Sequence, residues 1–88
     1  MASFSVVLKP SAEKDLRSLP KPLAKRLWAK IEALSTEPLP RQSVKLAGAE
    51  HLYRVRVGDH RIIYGLDNTA KQVVIHCVRH RSDAYRQA

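Results

Sequence analysis

Leu52-Tyr53-Arg54-Val55-Arg56-Val57-Gly58-Asp59-His60-Arg61-Ile62-Ile63-Tyr64-Gly65-Leu66 decides the fold. Leu52 to Val57 alternates, and the alternation resumes from His60 to Leu66. Gly58-Asp59 lies between as a two-residue loop, where glycine supplies the positive φ that tight hairpins need. The register then sets Val57 opposite His60, Arg56 opposite Arg61 and Val55 opposite Ile62. Cross-strand partners share a face. One face holds Tyr53, Val55, Val57, Ile62 and Tyr64; the other holds Arg54, Arg56 and Arg61. Three like charges this close destabilise a hairpin. A phosphate backbone lying across them relieves the repulsion.

The bulk numbers agree with such a partner. The chain has 88 residues, which is one small domain (1–88) with one modest core. Sixteen Lys plus Arg against eight Asp plus Glu leave a net charge of +8. That balance favours a nucleic acid or another acidic partner. No apolar run approaches the roughly 20 residues of a membrane span, so no membrane partner is expected. Met1-Ala2-Ser3-Phe4 lacks the charged and apolar regions of a signal peptide. A single cysteine, Cys77, excludes an internal disulfide and argues for a reducing, cytoplasmic compartment. Cys77 sits in the apolar run Val73 to Val78 and reads as a buried structural thiol. The histidines at 51, 60, 76 and 80 show no metal-ligand spacing, and no glycine-rich phosphate loop occurs; neither metal nor cofactor is expected.

Around the hairpin, Phe4 to Lys9 predicts a first strand. Ser11 is a plausible N-cap for a helix from Ala12 to about Leu19. Glu13 and Asp15 in its early turns suit the helix dipole. Pro20-Lys21-Pro22 breaks it, and a second helix runs to about Ser35. There Leu23, Leu27, Ile31 and Leu34 form one apolar stripe, widened by Ala24 and Trp28. Glu37-Pro38-Leu39-Pro40 ends the helical half. Arg41 to Glu50 predicts a loop with a brief extended piece near Val44-Leu46. Asp67 to Lys71 is a second turn, and Gln72 to Arg79 a last strand, apolar on both parities and so suited to a central position. The tail Arg81 to Gln87 forms a short helical turn or stays loose. The expected class is α+β: a small, mostly antiparallel four-stranded sheet in the order β-α-α-β-β-β, with the helical hairpin packed on one face.

Two constellations could carry chemistry. Arg54, Arg56 and Arg61 offer planar forks that donate paired hydrogen bonds to phosphate at any working pH; the competing reading is a solvated strand face. Arg79-His80-Arg81 with Tyr85-Arg86 offers a proton carrier, positive charge and an aromatic ring. The competing reading there is a basic, frayed C-terminus. His76 reads as a packed or rim histidine, and His51 stands without a partner in view.

Pro10-Ser11-Ala12-Glu13-Lys14-Asp15-Leu16, Lys45-Leu46-Ala47-Gly48, the run Tyr53 to Tyr64, and Val78-Arg79-His80-Arg81 with Tyr85-Arg86 together resemble the RelE family of the RelE/ParE superfamily. The motifs fall in the family's order and span essentially the whole chain. The resemblance implies a toxin of a type II toxin–antitoxin system, a ribosome-dependent endoribonuclease that cuts mRNA in the A site without a metal. The ribose 2′-hydroxyl would attack the adjacent phosphate in line. By resemblance, Arg61 stabilises the transferring phosphate, and Arg54 and Arg56 hold or activate the RNA. Tyr85 stacks on a base or moves a proton; His80 and Arg81 act as acid or charge stabiliser; Arg79 adds charge nearby. The implied partners are a cognate antitoxin, the ribosome with its mRNA, and operator DNA only through the antitoxin complex.

The chain departs from its relatives in places. Well-known relatives carry lysine at Arg54 and Arg56, many have glycine at Arg79, and tyrosine is commoner at His60. Two alternatives stay open: a ParE-like inhibitor of DNA gyrase, and a non-catalytic RNA- or antitoxin-binding module.

Overall fold

The computed structural model describes residues 3–48 and 50–82. Over these residues the order is β1 (Ser5–Leu8), α1 (Pro10–Arg17), α2 (Lys21–Ala33), β2 (Val44–Lys45), β3 (Leu52–Val57), β4 (His60–Asp67) and β5 (Gln72–His80). One sheet runs β1-β5-β4-β3-β2. Every pairing is antiparallel except β1 with β5, which is parallel. The expected α+β class holds. The four expected strands gain a fifth, because the extended piece at Val44–Lys45 pairs with Arg54 and Tyr53 at the sheet edge.

The hairpin has the register that the alternation predicts: Val57 with His60, Arg56 with Arg61, Val55 with Ile62. Gly58 has φ of 60°, and positive φ at the first loop position is the type II′ pattern. Val55, Ile62 and Tyr64 are fully buried on the helix-facing side. The Tyr64 hydroxyl, buried with its ring, donates to the Pro38 carbonyl at 2.8 Å and ties the loop after α2 to the sheet.

Both helices lie on that side. Ala12 and Leu16 of α1 and Leu27 and Ile31 of α2 join Leu34 and the sheet residues in one core. Trp28 departs from the expected stripe: it is 42% exposed and lines a shallow groove with Leu8, Leu16 and Arg17. The start of α1 also differs from expectation. Pro10 occupies the first helical position after an extended Lys9, as the restriction on a pre-proline residue favours. Ser11 is thus inside the helix and caps nothing; its hydroxyl donates instead to the His76 carbonyl at 3.3 Å.

The feature that positions the site is a bulge in β5. Ile63 pairs with Cys77 but Tyr64 pairs with Ile75, so His76 is the extra residue. A bulge changes which side chains face which side. Before it, Val73 and Ile75 point to the core; after it, Val78 does. β1 stops pairing with β5 at Leu8–Ile75, and beyond that point α1 takes over the same edge of β5. Asp15 Oδ2 accepts the Val78 amide at 2.9 Å, beside the Ser11–His76 contact. Such buried backbone donors need a partner.

Candidate nucleic-acid interface

The side of the sheet away from the helices carries the candidate site. Cross-strand pairing writes it out in rows. Arg56, Arg61 and Arg79 stand opposite one another on β3, β4 and β5. The next row is Val44, Arg54, Ile63 and Cys77. The third is Leu52, Gly65, Val74 and Val7. The open face is thus basic at one end and apolar beyond it.

Four of the sequence-predicted residues, Arg54, Arg56, Arg61 and Arg79, share this face. Arg79 does so because of the bulge: on the parity of Val73 and Ile75 it would face the helices. Opposed residues in a ladder stand about 4.5–5.5 Å apart at Cα. Like charges on directly opposed positions of a sheet face repel modestly in water. A phosphate chain placed across the row converts that repulsion into attraction. Arg56 is partly oriented already, its Nε donating to the Gly58 carbonyl at 3.0 Å. Arg79 lies against Cys77. Burial pushes the Cys77 thiol up, partly offset by the Arg79 charge and hydrogen bond, so the thiol is a poor nucleophile.

His80 does not join the row. It pairs with His60 on the helix-facing side, their rings edge-to-face with centroids 5.1 Å apart. His80 Nδ1 lies 2.9 Å from the Ser82 hydroxyl and 3.2 Å from the Ser82 amide, so Ser82 holds that edge of the ring. Arg81 is exposed just past β5. Its amide donates to the Asp59 carbonyl at 2.8 Å, which anchors the strand end to the hairpin loop. Tyr85 and Arg86 lie outside the described residues.

His76 is the titratable group that the bulge delivers to the open face. Its Nε2 would stand 3.2 Å from a Cβ at position 65, so any larger residue there would push the imidazole aside by a few tenths of an ångström. Its pocket includes Lys9, His51 and Asp67. Burial, and then the Lys9 charge, hold its pKa below the ordinary 6.5. The unfolded chain therefore binds the proton more readily. Stability from this group is present above pH 6.5 and is lost as pH falls through the folded value. Urea midpoints measured from about pH 7 down to about pH 5 are expected to fall more steeply for the native chain than for His76→Asn. Parallel curves would refute this.

No helix among the described residues is long and apolar enough to cross a membrane.

Comparison with known proteins agrees with this architecture. A family model described as the ParE toxin of a type II toxin–antitoxin system matches residues 6–85. A curated Methanocaldococcus jannaschii protein carrying the toxin name RelE1 is 31% identical over 86 residues, covering 94% of this chain and 96% of its own. Among solved structures, the RelE–RelB complex of Pyrococcus horikoshii matches with a TM-score of 0.80 and 34% identity, over 92% of this chain and 97% of that one. The RelBE2 toxin–antitoxin complex of Mycobacterium tuberculosis matches with a TM-score of 0.79 and 30% identity, over 90% of this chain and 99% of that one. The chain belongs to the RelE/ParE family of type II toxin–antitoxin toxins. The RelE relatives match it in sequence and, where solved, in fold.

Proposed function

We propose that this toxin is a ribosome-dependent endoribonuclease that cuts mRNA in the A site. The observation that carries the reading is the row Arg56–Arg61–Arg79 with Arg54 beside it, on the face that the helices leave open. In the reaction the ribose 2′-oxygen loses its proton and bonds to the adjacent phosphorus. The bond to the 5′-oxygen breaks, and that oxygen takes up a proton. The products are a 2′,3′-cyclic phosphate and a 5′-hydroxyl end. Arg61, central in the row, stabilises the phosphorane charge, while Arg54, Arg56 and Arg79 hold flanking phosphates. Arginine holds its proton at any working pH and is a poor base. Proton transfer therefore falls to the C-terminal segment: His80 offers an imidazole at the strand end, Arg81 adds charge, and Tyr85 stacks on a base or moves a proton.

The partners proposed are the ribosome with its mRNA, and a cognate antitoxin that neutralises the toxin. The Mycobacterium relative is held in a toxin–antitoxin complex and the Pyrococcus relative in a complex with RelB. Operator DNA is reached only through the antitoxin complex.

The test is to map mRNA ends in a purified translation system with the protein, beside the same RNA free of ribosomes. Cuts within codons that need ribosomes are the expected result; intact mRNA with folded protein overturns the reading. The second reading, a ParE-type toxin acting on DNA gyrase, draws on the description of the matching family model. Lost gyrase supercoiling with intact mRNA would establish it.

A further inference from the structure

We infer that a cleft between α2 and the β3–β4 turn binds a backbone phosphate of single-stranded RNA, as a second anion site joined to the arginine row through Arg56. The inference rests on the RNA-directed reading above and adds a surface that the reading does not use.

The sequence places Arg26 and Lys30 four apart on α2, and Ala29 and Ala33 likewise, so both pairs lie on neighbouring flanks of the helix. None of these four belongs to the buried stripe. The fold lays that flank against the hairpin turn. The resulting cleft of about 530 Å³ is lined by Arg26, Ala29, Lys30, Ala33, Arg56, Val57 and Gly58. Two guanidinium groups from different elements converge on one glycine. A Cβ at Gly58 would stand 3.5 Å from Arg26 Nη2, and Arg56 Nε donates to the Gly58 carbonyl at 3.0 Å. Lys30 lines the same space, and no acidic side chain does among the described residues.

Three cations without a carboxylate select an anion. The kind of anion follows from the walls. The depression is wide and open to solvent, with room for a phosphate and its ribose to lie along it. The described lining holds no aromatic ring on which a base could stack. Contact is therefore with the sugar–phosphate chain and is blind to sequence. Arg56 belongs to both the row and the cleft, so a strand lying on the open face can turn past the hairpin tip onto α2 without leaving positive charge.

The test measures binding of the full-length protein to a 2′-O-methyl oligonucleotide, which cannot undergo 2′-hydroxyl attack, across a range of salt concentrations. The double variant R26Q/K30Q keeps helix-favouring residues on an exposed flank. Its log–log salt slope is expected to be shallower by about 0.7 for each phosphate that the variant no longer neutralises, with affinity at low salt roughly tenfold weaker for any sequence. R26K/K30R, which keeps both charges, is expected to retain the native slope. K30Q alone gives a smaller change in the same direction and supports the site should the double variant fail to fold. Native slope and affinity in R26Q/K30Q overturn the inference, as does a native protein that binds no RNA. Unchanged RNA binding with weakened antitoxin binding also overturns it and assigns the cleft to an acidic protein segment. Ribosomal mRNA cleavage by the native protein, scored in parallel, judges the nuclease reading separately.

Discussion

Arg61→Ala is expected to lower the rate of mRNA cleavage in the ribosomal A site by about 10²–10³-fold, the loss seen when one preorganised donor to a developing oxyanion is removed. Arg61 is the middle member of a three-strand row, with Arg56 on one side and Arg79 on the other. On the proposed reading, a phosphate over the centre of the row would receive its fork directly, and its neighbours would reach the flanking phosphates. Arg61→Lys keeps the charge but loses the planar pair of donors, so partial recovery is expected. Thermal unfolding measured on the same samples separates lost chemistry from lost fold. A variant that cuts at the native rate would sink the assignment. One that binds RNA more weakly but cuts normally once saturated would reduce Arg61 to a binding residue.

Asp15→Ala is expected to cost about 2 kcal/mol, because the Val78 amide, on the edge of β5 beyond the end of β1, loses a charged acceptor. For a domain of this size that lowers the melting temperature by roughly 8–16 °C. Asp15→Asn keeps an acceptor oxygen and is expected to recover much of the loss. The effect extends to the site. The Asp15 bond steadies Val78, next to Arg79 and one residue past the point where pairing resumes, and the side on which Arg79 emerges depends on that register. Cleavage by Asp15→Ala, assayed well below its melting temperature, is expected to fall as well. A melting temperature within about 2 °C of native would show the bond to be replaceable by water.

The hairpin and its arginine face were legible because each local signal agreed: a glycine at the required positive φ, alternation on both sides, and a two-residue loop that fixes register. The α2 stripe was legible for Leu27, Ile31 and Leu34. Trp28 broke the pattern because a ring on the edge of a stripe can rest on a groove without entering the core. Ser11 resembled a cap, but Pro10 with its preset φ starts the helix earlier. The most consequential miss was the bulge. Its trace exists in the chain: Val73, Ile75 and Val78 change parity between 75 and 78. In a strand apolar on both parities the shift was indistinguishable from a centrally placed strand. That shift decides that Arg79 rather than His80 shares the open face with Arg61. Nothing local to the sequence joins Arg26 and Lys30 to Arg56, because their proximity arises only from packing α2 against the turn. The parallel pairing of β1 with β5 likewise joins segments far apart in the chain, beyond the reach of local pattern.

That pairing sets an order of assembly. β1, near the beginning of the chain, hydrogen-bonds to β5, with Ser5 opposite Gln72 and Leu8 opposite Ile75. β5 in turn fills the gap between β1 and β4. While the polypeptide is being synthesised, the first strand therefore waits for the last, and contacts so distant form late. Until residues 72–80 have emerged, the row lacks Arg79, α1 lacks the backbone it braces, and the sheet cannot close. Vectorial synthesis thus keeps the basic surface incomplete on the very ribosome that makes it.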